Sequence, residues 1–133
     1  MTAVFADAFY YFALVNPGDR SHERARDFTA SFTGNIVTTA WVLTEVGDGP
    51  AKRDNRSLFL EMMSDLRSDP DVFIAPPNVE LFEEGLALYG RRPDKDWSLT
   101  DCISFVVMKR QGITHALTGD HHFEQSGFVA LLG

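Results

Sequence analysis

The chain has 133 residues, 44% hydrophobic and 23% charged, and its nineteen Asp and Glu against twelve Lys and Arg leave a net charge of -7. These values fit one folded domain over residues 1–133, and they exclude a disordered chain and a protein held on nucleic acid by a diffuse basic surface. Cys102 stands alone, no apolar run is long enough for a bilayer, and Asp7 interrupts the start too early for a signal peptide. The expected setting is therefore reducing and cytoplasmic, without a membrane.

Ala3-Val4-Phe5-Ala6 is a continuous apolar run ending at Asp7, as a strand buried on both faces reads. Phe9 to Val15 reads as helix, stopped by the turn cluster Asn16-Pro17-Gly18-Asp19, and Ser21 is placed to cap a second helix from His22 to about Phe32. Asn35 to Thr39 is short and β-branched, a strand. Ala40 to Val46 follows as helix, with a break expected at Gly47-Asp48-Gly49-Pro50. Arg53 to Leu66 is amphipathic, with Phe59, Met62, Met63 and Leu66 on one face. Val72 to Ala75 is a strand. Asn78 caps a helix whose Val79, Phe82, Leu86 and Tyr89 share a face, with Gly90 as its terminator. After a polar loop, Ser98 opens a helix to Gln111. His115 to Thr118 is a strand, His121 to Ser126 a helical turn, and Phe128 to Leu132 a last strand.

Strands alternating with helices predict an α/β layer fold with a mainly parallel central sheet of about five strands and helices on both faces. Ligands bind such sheets beyond the carboxyl ends of the strands. Two acids fall at that edge by position: Asp7 ends the first strand and Asp120 follows the fourth. Asp101 lies in the first turn of the helix opened by Ser98, and Glu45 on the helix after the second strand. If the first, second and fourth strands are neighbours, all four carboxylates approach one another. Such a group repels itself unless a cation intervenes, and a hard divalent ion such as Mg²⁺ takes oxygen ligands of this kind. Ions so held support in-line displacement at phosphorus.

Each acid also has a purely structural reading: Asp7 as a helix cap, Asp101 as half of a capping box with Ser98, Glu45 as a solvated helix residue, and Asp120 as a turn residue. Cys102 sits on an apolar helix as a small core residue. His121 and His122 beside Asp120 do not suggest zinc, because adjacent His side chains are expected to point apart. Ser104, three residues after Asp101, either supports that acid or packs as a small residue.

Val4-Phe5-Ala6-Asp7, Thr44-Glu45-Val46, the stretch Ser98 to Ser104, and Ala116-Leu117-Thr118-Gly119-Asp120-His121-His122-Phe123 with Gly127-Phe128 resemble PIN-domain ribonucleases, in order and along essentially the whole chain. Within that superfamily the chain is similar to the small VapC-like toxins of bacterial toxin–antitoxin pairs. The resemblance implies a three-layer α/β/α fold and Mg²⁺- or Mn²⁺-dependent endonuclease activity on RNA. It implies catalytic roles for Asp7, Glu45, Asp101 and Asp120, with Asp7 and Asp101 as the metal ligands. It also implies a cognate antitoxin protein and a homodimer. Ala8 departs from the family, which commonly carries Ser or Thr there, and so removes a hydroxyl that often steadies the site. The break at residues 47–50 is expected to shift the helix that carries Glu45.

A response-regulator receiver needs an Asp after the third strand, where Ala75-Pro76-Pro77 stands. A haloacid-dehalogenase-like phosphatase needs a second Asp where Phe9 stands, and a dinucleotide-binding domain needs a Gly-rich turn after the first strand. The remaining alternative is a catalytically weak or inactive PIN domain that binds RNA or protein. Three basic clusters are candidates for RNA phosphates where they border the site: Arg20, Arg24 and Arg26; Lys52, Arg53 and Arg56; Arg91, Arg92 and Lys95. Trp41 and Trp97 are candidates for base stacking or for packing.

Overall fold

The structure is a computed structural model that describes residues 2–49 and 55–133. Pro50, Lys52 and Arg53, which figured in the expected break, basic cluster and helix start, lie outside the described residues. The elements in chain order are β1 (Ala3–Ala6), α1 (Ala8–Val15), α2 (His22–Ser31), β2 (Asn35–Thr39), α3 (Ala40–Asp48), α4 (Arg56–Ser68), β3 (Val72–Ala75), α5 (Val79–Arg91), α6 (Leu99–Gln111), β4 (His115–Leu117), α7 (His121–Gln125) and β5 (Val129–Ala130).

All five strands are parallel, in the order β3-β2-β1-β4-β5. β1 is the central strand, with Phe5 level with Val37 of β2 on one side and Ala116 of β4 on the other. Val4, Phe5 and Ala6 are completely buried, which is why this strand reads as an unbroken apolar run. The chain travels one way from β1 to β3 and then returns past β1 to β4. Right-handed crossovers in opposite directions put helices on opposite faces, giving the three-layer α/β/α arrangement. The direction reverses at β1, and the crevice beyond the carboxyl ends of β1 and β4 is where such a sheet binds ligands.

Several helices differ from the sequence expectation for identifiable reasons. α3 runs through Gly47 to Asp48, and the Gly49 N–H donates to Glu45 O at 3.3 Å. Glu45 therefore sits within a continuous helix, and no break shifts it. Gly47 is there for space: a Cβ on it would stand 2.9 Å from the ring of Phe59 on α4. Ser21 makes no side-chain cap on α2, and its own N–H is instead held by Asp19 Oδ1 at 2.8 Å.

α5 buries a face other than the expected one. Val79, Leu86 and Tyr89 are exposed, while Leu81 and Gly85 are buried, with Phe82 and Leu88 packed at their margins. Gly85 lies against Ile103 of α6, and a side chain there would occupy the space that Ile103 takes. An apolar count cannot register a residue that contributes to packing by having no side chain. α5 also continues through Gly90 to Arg91, because Gly90 keeps ordinary helical backbone rather than the left-handed turn that ends a helix. α6 does end that way, at Gly112 with φ 66°.

The two α5 glycines give substitutions of opposite sign. Gly85→Val overpacks the α5–α6 contact and is expected to cost about 1–3 kcal/mol. Gly90→Ala meets nothing within 4 Å and is expected to stabilise by about 0.5–1 kcal/mol. Urea denaturation of both variants checks the pair.

Candidate active site

Asp7 is the first residue beyond β1 and occupies the N-cap position of α1, yet its side chain makes no capping bond. Its Oδ2 instead accepts a hydrogen bond of 2.9 Å from the hydroxyl of Thr118, the residue that follows β4. Thr118 is completely buried, and its Oγ1 also accepts the N–H of Asp120 at 3.1 Å. One hydroxyl thus links two of the acids across the β1–β4 crevice. Sequence reading assigned Thr118 only to a strand and missed this role. Ala8 brings no hydroxyl to Asp7, whose hydroxyl partner is Thr118 beside the neighbouring strand.

Asp101 does form the capping box. Its Oδ2 accepts the Ser98 N–H at 3.2 Å, and its own N–H donates to Ser98 Oγ at 3.0 Å. Capping does not exhaust it, since the same Oδ2 lies 3.1 Å from His122 Nδ1. Asp120 caps α7, its Oδ1 accepting the His122 N–H at 2.9 Å. In Asp7, Asp101 and Asp120 alike, one oxygen is held by these bonds and the other makes none of them. Glu45 enters from the central part of α3.

The charges confirm the crowding. Burial pushes the Asp7 carboxyl up to about 7, against the Thr118 hydrogen bond that favours its anion, and Asp101 and Glu45 push it further. Asp101 is raised, chiefly by burial and also by Asp120, while His122 and Ser98 pull it down. Glu45 is exposed as a residue but is raised as well, by partial burial of its carboxyl and then by Asp101 and Asp120. The main charges acting on these three acids are other acids and His122, with no Lys or Arg among them. A half-buried, self-repelling group of carboxylates with no Lys or Arg beside it, and with His122 as its basic neighbour, fits a divalent cation; the ligand atoms of Asp120, His121 and His122 also lie within 4.8 Å of one another. Asp7 and Asp101 are the buried acids best placed to hold one, with Glu45 and Asp120 at the rim.

The other candidates fall elsewhere. Cys102 is a buried core residue. Ser104 donates to Thr100 O at 3.0 Å and so packs within α6. Trp97 is buried, with Nε1–H donating to Gln125 Oε1 at 3.0 Å, and Trp41 packs partly buried against the core. Arg24 donates to the carbonyls of Leu131 and Gly133, and Arg92 pairs with Asp94. His121 and His122 do not point apart: their ring centroids are 4.6 Å from each other, because α7 begins on Asp120 and turns both rings to the same side. A cavity of about 820 Å³ between α3 and α4 is lined by none of the four acids.

Comparison with known proteins adds a family and two relatives. The family model described as PIN domain matches residues 4–129. The chain is 28% identical over 126 residues, covering 95% of each sequence, to a protein of Mycobacterium tuberculosis named 23S rRNA-specific endonuclease VapC20. The crystal structure of that VapC20, described as a sarcin–ricin loop cleaving toxin, matches with a TM-score of 0.85 at 27% identity, covering 95% of this chain and 96% of that one. FitAcB from Neisseria gonorrhoeae matches in fold, with a TM-score of 0.63 at 15% identity over 96% of this chain and 94% of that one. No helix among the described residues is long and apolar enough to cross a membrane.

The raised Asp7 carboxyl has a consequence for stability. A group that holds its proton more tightly when folded contributes stability that is complete below its unfolded value of 3.8 and is lost as pH rises through about 7. Metal-free protein should therefore melt at progressively lower temperature from about pH 4 to pH 8. Asp7→Asn should flatten that fall and raise the melting temperature at pH 8. Mg²⁺ should stabilise wild type more at pH 8 than at pH 5, as thermal melts in chelator and in metal would record.

Proposed function

The chain belongs to the PIN-domain family, and from that membership we propose that it is a Mg²⁺- or Mn²⁺-dependent endoribonuclease and the toxin of a toxin–antitoxin pair. The observation that carries the reading is the self-repelling set of Asp7, Glu45, Asp101 and Asp120 at the switch crevice. Asp7 and Asp101 are the residues that would hold the ion. Glu45 and Asp120 complete the pocket and orient a water toward the phosphorus. A divalent ion bound there supplies charge neutralisation and Lewis acidity toward the scissile phosphate. Thr118 and Ser98 fix the two holding carboxylates, so that little rearrangement accompanies binding.

The substrate is proposed to be RNA, with ribosomal RNA the first class to test, since the relative is named for cleavage of 23S rRNA. Its partners are proposed to be a neutralising antitoxin protein and a second copy of the chain. Several of the described basic residues are committed elsewhere: Arg24 to the carbonyls of Leu131 and Gly133, Arg92 to Asp94, and Arg110 to Glu80 and Glu84. Contact with RNA is therefore local to the acidic pocket and its rim.

The test compares wild type with Asp7→Asn and Asp101→Asn on ribosomal RNA, each with Mg²⁺, with Mn²⁺ and with chelator. Wild type should cleave only with metal, and each variant should lose at least about 100-fold. Equal cleavage by all three would sink the mechanism. Metal uptake without cleavage by wild type would favour the inactive, binding-module reading.

A further inference from the structure

We propose that His122 is a positioning residue that restrains Asp101 to ligation through one oxygen and so tunes the pocket to a small hard ion over a larger one. The inference rests on the metal-dependent reading above and goes on to the ion preference of the same site.

The imidazole Nδ1 stands 3.1 Å from Asp101 Oδ2 and 3.4 Å from Asp120 Oδ1. Both atoms are carboxylate oxygens, which only accept, so Nδ1 carries the hydrogen and donates it to Asp101, with Asp120 Oδ1 close by. The ring is held where it stands. Its own backbone N–H is fixed by Asp120 Oδ1, and its side chain is 20% exposed with the His121 ring against it. Asp101 Oδ2 also accepts the Ser98 N–H. With two donors on one oxygen, Asp101 offers the other oxygen alone.

That restriction discriminates between cations. Mg²⁺ and ions of similar size bind single oxygens in compact octahedra and keep several waters. Ca²⁺ is larger, takes more oxygens and accepts a carboxylate through both. Removing the imidazole leaves Asp101 Oδ2 with the Ser98 N–H only, and the carboxyl gains freedom to turn both oxygens inward. The small ion loses a pre-set ligand; the large one loses little. The backbone cap on Asp101 survives the change, so the helix start is not at stake.

Chelator-stripped wild type, His122→Ala, His122→Asn and His122→Gln would be titrated with Mn²⁺ and with Ca²⁺ by calorimetry, with thermal melts to establish folding. His122→Ala should bind Mn²⁺ about 10-fold more weakly, with a much smaller change for Ca²⁺. Asn places its amide N–H where Nδ1 stood and should recover most of the Mn²⁺ affinity; Gln places it at the far nitrogen and should not. Equal weakening for both ions, unaltered Mn²⁺ binding in His122→Ala, or no recovery in His122→Asn would each overturn the role of His122. Wild type that takes up no Mn²⁺ would overturn the metal-dependent reading itself.

Discussion

The hydrogen bond from the Thr118 hydroxyl to Asp7 holds the two halves of the crevice together. It joins the end of the central strand to the end of its neighbour, and it does so in a fully buried setting where an unpartnered carboxylate is costly. The N–H of Asp120 closes on the same oxygen, so the turn after β4 is registered against β1 by one side chain. The apolar strand, its parallel neighbours and the helices above them serve to keep that turn beside Asp7. The arrangement works against the stability of the metal-free protein, because acids that would stay apart in an unfolded chain are gathered in a partly dry cleft. Local instability at a site of this kind is a usual companion of function.

Much of this was legible in the residues. The unbroken run before Asp7 marked a strand buried on both faces, and the alternation of strand and helix marked a parallel sheet. The four acids could be placed on one edge by their distance from strand ends. What could not be read has a common physical origin. Gly85 and Gly47 act through missing volume, so the face of α5 and the length of α3 were misjudged by counting apolar groups. Ser21 and Asp7 occupy cap positions, yet their side chains bond elsewhere or not at all. Thr118 and His122 were hidden because their partners lie 111 and 21 residues away in sequence. The loss of a hydroxyl at Ala8 pointed to a weakened site, and only the neighbouring strand shows where a hydroxyl is provided instead.

The net charge of -7 also changes its meaning once the acids are located. Negative charge concentrated in a pocket attracts cations to one place, and a cation there offsets the repulsion that an RNA phosphate would meet. The other described acids are spread over helices and loops, mostly exposed, where salt screens them within about 10 Å. Such a surface offers little non-specific hold on RNA. Binding through a few local contacts favours release and turnover over a stable complex.

The crevice is assembled from the two ends of the sequence order: Asp7 comes from the seventh position, and Thr118 and Asp120 from the last strand but one. Pairing of β1 with β4 closes a loop of more than a hundred residues, a non-local contact of the kind that slows folding. Without β4 the central strand has only β2 beside it, and Asp7 lacks the Thr118 hydroxyl. An incomplete chain therefore carries acids but no pocket. The crevice exists only once β4 has paired with β1, and neither strand carries it alone.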